Sequence, residues 1–107
     1  MIKLRLPIST VAALVLTPSE AASIAGDAGL TTAFFCAKEG VYKALHPLTG
    51  VFLDFHDVEV ELDPVAGRFS ARVRLADWPP AAPREVVGRL RRTRGMIVTA
   101  VELPSPA

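Results

Sequence analysis

The sequence holds one cysteine, Cys36, one tryptophan and one tyrosine among 107 residues. A lone cysteine closes no internal disulfide and builds no zinc site by itself, so a reducing cytoplasm is the expected compartment. Long apolar runs are missing too. The longest, Val11 to Leu16, has six residues, against the roughly 20 that a membrane helix needs. No secretory signal is seen, and no membrane association is expected. Charge of one sign is also lacking. Lys and Arg total 12 against 11 Asp and Glu, a formal net charge of +1, and no nucleic-acid-binding motif accompanies it, so no nucleic acid is expected as a partner.

What is present is a chain half hydrophobic and about one-fifth charged, ordinary for a globular domain. Its length suits one domain spanning 1–107. The hydrophobic content is high for so short a chain. That fits a domain that packs against something else, as well as a self-sufficient one.

Met1 to Leu6 alternates Ile2, Leu4 and Leu6 with Lys3 and Arg5, predicting a short strand or extended arm closed by Pro7. Val11 to Leu16 reads as a buried strand. Thr17-Pro18-Ser19-Glu20 carries a capping box with proline at the first helical position, so a short helix is predicted from Pro18 to Ala25, ended by Gly26 and Gly29. A second helix is predicted from Thr31 or Thr32 to Leu45, stopped by Pro47. Phe34, Ala37, Val41 and Leu45 recur on one side of it as the buried face.

From Val58 the period becomes two. Val58, Val60 and Leu62 alternate with Glu59, Glu61 and Asp63, and Phe69, Ala71, Val73 and Leu75 alternate with Ser70, Arg72 and Arg74. These runs predict an antiparallel hairpin turning at Pro64 to Gly67. Trp78 to Pro83 is a proline-rich loop in which Trp78 is expected to plug the core edge. Val86–Arg92 and Met96–Leu103 predict a second hairpin around Thr93-Arg94-Gly95. Helices first and an antiparallel sheet after them give an α+β layout, two helices packed on the sheet.

On the second helix Glu39 and Lys43 are four apart and lie side by side, with Lys38 about 100° round from Glu39. A carboxylate beside ammonium groups can hold magnesium, a hard ion that shares its oxygens with substrate phosphates, while the lysines neutralise phosphate charge. The same spacing also suits a solvated helix-stabilising pair.

Phe35-Cys-Ala-Lys-Glu-Gly-Val-Tyr-Lys-Ala44 resembles the signature helix of the 4'-phosphopantetheinyl transferases. His46-Pro-Leu-Thr-Gly50 and Leu53-Asp-Phe-His-Asp-Val-Glu-Val60 resemble the surfactin/enterobactin-type class, as does Gly95 to Val101. The likeness runs from about Leu14 to Leu103 and is specific at the signature helix and the turn after it. It implies the C-terminal half of a two-half enzyme. That enzyme moves the phosphopantetheine arm of coenzyme A to a serine of an acyl or peptidyl carrier protein, with magnesium on the pyrophosphate. By motif position the resemblance makes Glu39 a magnesium ligand, and a relay toward the base that activates the serine. It makes Lys43 a phosphate-binding lysine and Lys38 a second contact to coenzyme A or to the carrier phosphate chemistry.

The sequence departs from that pattern in three places. Gly40 replaces a small alanine or serine, a choice that allows close packing. Cys36 replaces a serine and reads as a small buried residue. The Gly-Ile-Asp-x-Glu-like segment that supplies the other magnesium ligands in the family does not precede the helix in this sequence. Asp57-Val-Glu59 follows the helix and reads as a solvated strand face. A second half, or a second copy in a homo-oligomer, is therefore expected to complete the site. The rival expectation is a non-catalytic binding module, or an inactive fragment of the same fold. Arg84, Arg89, Arg91, Arg92 and Arg94 offer phosphate or carrier-protein contacts, or simply a basic wet strand and turn. His46 and His56 read as helix-end and loop residues.

Overall fold

The computed structural model describes residues 13–24, 28–94 and 96–103. The arm at Met1–Leu6, Pro7, Gly26, Gly95 and the tail from Pro104 lie outside them. The first helix, α1 (Pro18–Ser23), is held by the capping box expected of its sequence. Thr17 Oγ1 accepts the Glu20 N–H, and Glu20 Oε1 accepts the Thr17 N–H at 2.8 Å. It is shorter than predicted, with Ile24 as its C-cap. The described part of the apolar run before it, from Ala13, is no strand. Residues 13–15 are helical, with Val15 and Leu16 buried and Ala13 and Leu14 exposed. A short apolar run does not distinguish strand from buried helix by periodicity, and alanine and leucine favour the helix.

The long helix α2 (Ala28–Thr49) starts earlier than predicted and runs through Pro47. Proline removes one N–H, which costs most in a helix interior. Pro47 stands in the last turn, exposed, and the helix ends within two residues. Gly50, at φ 67°, supplies the left-handed residue that closes it, its N–H bonding the His46 carbonyl at 2.8 Å. The chain then makes a 3-10 turn (Phe55–Asp57), capped reciprocally by Asp54 and Asp57.

Four strands follow: β1 (Val58–Asp63), β2 (Arg68–Val73), β3 (Glu85–Thr93) and β4 (Met96–Glu102). They form one antiparallel meander in the order β1-β2-β3-β4. The two hairpins read from the sequence are joined by β2–β3 pairing, with Ala71 opposite Val86. Leu75 falls beyond β2. Alternation puts Val58, Val60, Phe69, Ala71, Val73, Val86 and Leu90 on the buried face, and α2 lays Phe34, Ala37, Val41 and Leu45 against it. Each large apolar side chain buried there contributes about 1.5–3 kcal/mol. Trp78 plugs the core edge as expected, 4 % exposed, its Nε1–H bonding the Pro83 carbonyl.

Gly88 sits on that face opposite Phe69, whose ring lies across it. A β-carbon at Gly88 would overlap the ring and stand 2.6 Å from the Ala100 carbonyl oxygen. Gly88→Ala is therefore expected to destabilise the chain by about 1–3 kcal/mol, the usual range for overpacking. A urea melt matching wild type would refute this.

Candidate functional site

The apolar row of α2 faces the sheet and turns the opposite row outward. Glu39 is half-buried on that outward row and Lys43, one turn on, is exposed. The ion pairs among the described residues are Lys38–Glu20, Arg72–Glu85 and Arg89–Glu102. Glu39 and Lys43 are thus not paired with each other, and neither makes a hydrogen bond among the described residues. A Glu–Lys pair at this spacing is near enough to close. This one presents an uncommitted carboxylate and an uncommitted ammonium side by side.

The third motif residue is placed elsewhere. Lys38 is 2 % exposed. Its Nζ donates to the Val15 carbonyl at 2.7 Å and the Phe55 carbonyl at 2.8 Å, and meets Glu20 Oε1 at 2.6 Å. An ammonium has three N–H donors, so all are occupied inside the protein. A contact of Lys38 with coenzyme A, as the motif implies, would have to displace one of these partners. The 100° step from Glu39 carries Lys38 to the core-facing edge of the helix. Burial pulls its pKa below the ordinary lysine value, while the hydrogen bond and charge of Glu20 and the charge of Glu59 act the other way.

Glu20 is the residue that sequence reasoning underused. The capping box pointed to it, but only as a cap. It is 2 % exposed, and its second oxygen, Oε2, accepts the Val60 N–H at 2.6 Å. The signal available was a glutamate in an alanine-rich short helix that packs on the sheet.

Gly40 packs where the sequence suggested. A β-carbon there would stand 3.2 Å from Val101 Cγ2, so glycine lets α2 approach β4 closely. Thr99 Oγ1 of β4 donates to the Cys36 carbonyl at 3.1 Å. Cys36 is half-buried. Burial pushes its thiol pKa up and the Glu39 charge adds to the rise. A thiol with a raised pKa carries little thiolate at neutral pH. Iodoacetamide at pH 8 is expected to alkylate Cys36 several-fold more slowly in the folded chain than in urea; equal rates would refute it. Because this pKa is higher in the folded state, Cys36 stabilises the fold below its unfolded pKa and loses that contribution as pH rises through the folded one.

The other candidates are mostly absorbed by local structure. Asp57 Oδ2 accepts the Asp54 N–H. Glu59 is more than a solvated strand face, since it accepts the Thr17 hydroxyl at 2.8 Å and the Ser19 hydroxyl. Arg84 donates to the Val73 and Leu75 carbonyls, both at 2.9 Å, and so pins the proline-rich loop. Arg89 pairs with Glu102. Arg91, Arg92 and Arg94 stay exposed. His46 stacks on Tyr42 with ring centroids 5.1 Å apart, and His56 Nε2 lies 3.1 Å from the Ala13 carbonyl oxygen.

Among the described residues no three His, Cys, Asp or Glu side chains gather closely enough to hold a metal ion. Glu39 would offer magnesium one carboxylate, the remaining oxygens coming from water, substrate phosphates or other protein groups. Two depressions of about 390 and 430 Å³ lie against Arg68, Phe69 and Arg89 and against Ser19, Phe34 and Glu59; neither is lined by Glu39 or Lys43. No helix among the described residues is long and apolar enough to cross a membrane.

Comparison with known proteins bears on the chain as a whole. Residues 2–95 match the model of the 4'-phosphopantetheinyl transferase superfamily. The chain is 40 % identical over 106 residues to the 4'-phosphopantetheinyl transferase Svp of Streptomyces mobaraensis, covering 91 % of this chain and 43 % of that protein. It is 37 % identical over 75 residues to the 4'-phosphopantetheinyl transferase PptT of Mycobacterium tuberculosis, covering 64 % of this chain and 33 % of that one. The chain thus spans less than half the length of the curated relatives it matches.

Proposed function

Because the chain belongs to the 4'-phosphopantetheinyl transferase superfamily, we propose that it contributes one half of a site that moves the phosphopantetheine arm of coenzyme A to a carrier-protein serine. The observation that carries this reading is the uncommitted Glu39–Lys43 pair on the outward row of α2. In such a transfer the serine hydroxyl gives its proton to a base, its oxygen bonds to the phosphorus of the arm, the anhydride bond to the nucleotide breaks, and the nucleotide leaves with its phosphates. There is little covalent work for a protein to do, so positioning and charge stabilisation dominate.

Glu39 would hold magnesium, which when bound neutralises pyrophosphate charge. Lys43, one turn along the same row, would bind a phosphate oxygen. Lys38 supports the helix from its buried side and touches no substrate. One carboxylate leaves the metal's other protein oxygens to a second half or a second copy of this chain. The outward placement of Glu39 and Lys43 on α2 supports a site completed by another polypeptide. The expected setting is a reducing cytoplasm.

The test is to incubate the chain with an apo carrier protein, coenzyme A and magnesium and to seek the added arm by mass spectrometry. Transfer lost in Glu39→Ala supports the reading. Absence of transfer by the wild-type chain, alone or with the first half of a relative supplied, refutes it. Calorimetry is expected to show weak coenzyme A binding by the isolated chain, and micromolar binding by a proven monomer would overturn the half-site.

A further inference from the structure

The buried Glu20–Lys38 pair has no direct part in the proposed transfer, yet it adjoins the site through the chain. Lys38 is the residue before Glu39. Its three donors tie it to the Val15 carbonyl, to the Phe55 carbonyl of the 3-10 turn, and to Glu20 of α1. Glu20 in turn takes the Val60 N–H of β1 and the Thr17 N–H. Backbone from the segment before α1, α1 itself, the 3-10 turn and β1 thus converges on one turn of α2.

Most of what else holds α2 is apolar packing, which is non-directional. Ala37, Val41 and Leu45 fix the distance of the helix from the sheet better than its rotation. The bonds at Lys38 are directional. Successive helix residues are about 100° apart, so fixing the direction of Lys38 fixes that of Glu39.

Resting on the function proposed above, we propose that Glu20 is a positioning residue of that site, acting through Lys38 to set the rotation of α2 and so the direction of the Glu39 carboxylate. The fold alone does not demand an ion pair here, since exchanging a buried pair for neutral groups of similar size is often tolerated. A site that must share a metal with another polypeptide does demand a fixed carboxylate, because small misplacements are costly.

The experiment compares the full chain with Glu20→Gln, with Glu20→Gln/Lys38→Met, and with Gly67→Ala. The last strains the β1–β2 turn at φ 67°, away from α2, as a stability control. Both Glu20 variants are expected to lower kcat for transfer by about tenfold or more and to raise the magnesium half-saturation, with KM for the carrier protein unchanged. Gly67→Ala should keep wild-type kcat and magnesium dependence.

A second readout needs no activity. Alkylation of Cys36, one turn from Glu39, is expected to quicken about tenfold in the Glu20 variants under native conditions and not in Gly67→Ala. Wild-type kcat, magnesium dependence and Cys36 rate in a folded Glu20 variant would overturn the proposal. Failure of the double variant to fold would overturn it as well, because the pair would then serve the fold itself. Wild-type transfer by Glu39→Ala would sink the function reading instead, and the Cys36 rates would then decide whether Glu20 sets this turn.

Discussion

Lys38→Ala is expected to cost the fold about 3–5 kcal/mol, whereas Lys43→Ala should shift it by less than about 0.5 kcal/mol. The two lysines belong to one motif and look alike in the sequence. They differ in where the helix turns them. Lys38 is 2 % exposed and spends every donor inside the protein. Removing it leaves the Glu20 carboxylate buried without its cation, and the Val15 and Phe55 carbonyls without their donor. Against a typical total stability of about 5–15 kcal/mol, that is a large fraction. Lys43 is exposed and makes no ion pair among the described residues, so its loss removes no packing. Urea melts of both variants check this. A Lys38→Ala midpoint at the wild-type value would mean that the buried pair contributes nothing. It would return Lys38 to the ligand role that the motif alone suggests.

That difference marks how far the site was legible in the sequence. The apolar period of α2 identified its buried row, and Phe34, Ala37, Val41 and Leu45 are all buried as expected. The strand alternation was equally informative, because one wet face imposes a period of two. Lys38 reads as a ligand in the sequence because its type is almost never buried unpaired. Its partner, Glu20, lies 18 positions earlier, and no local period reports a pairing of that kind. Glu20 was visible as a cap, but a carboxylate has two oxygens and a capping rule accounts for one. Pro47 misled for a different reason. Proline forbids a hydrogen bond but not a final turn, and the true stop is Gly50 with its positive φ. Arg84 read as a surface cation, and only the fold of the proline-rich loop brings two carbonyls to it.

Glu39→Gln is expected to lower kcat for arm transfer by about 10²–10³ and to raise the magnesium requirement, with stability within about 0.5 kcal/mol of wild type. Glutamine keeps the length and shape of the side chain and loses only its charge. The effect thus isolates what a carboxylate supplies to a site where phosphate charge must be held and metal shared. Stability should not move, because Glu39 makes no ion pair or hydrogen bond among the described residues that the change would break. The informative control is Glu59→Gln. Glu59 is the other acid the sequence offered, and its oxygen is engaged by the Thr17 and Ser19 hydroxyls at the start of α1. Glu59→Gln should therefore soften the α1–β1 junction slightly and leave kcat alone. Loss of transfer in Glu59→Gln with full activity in Glu39→Gln would move the chemistry from α2 to the edge of the sheet. The opposite pattern, with both variants folded, would assign the metal-binding carboxylate to the helix by charge alone.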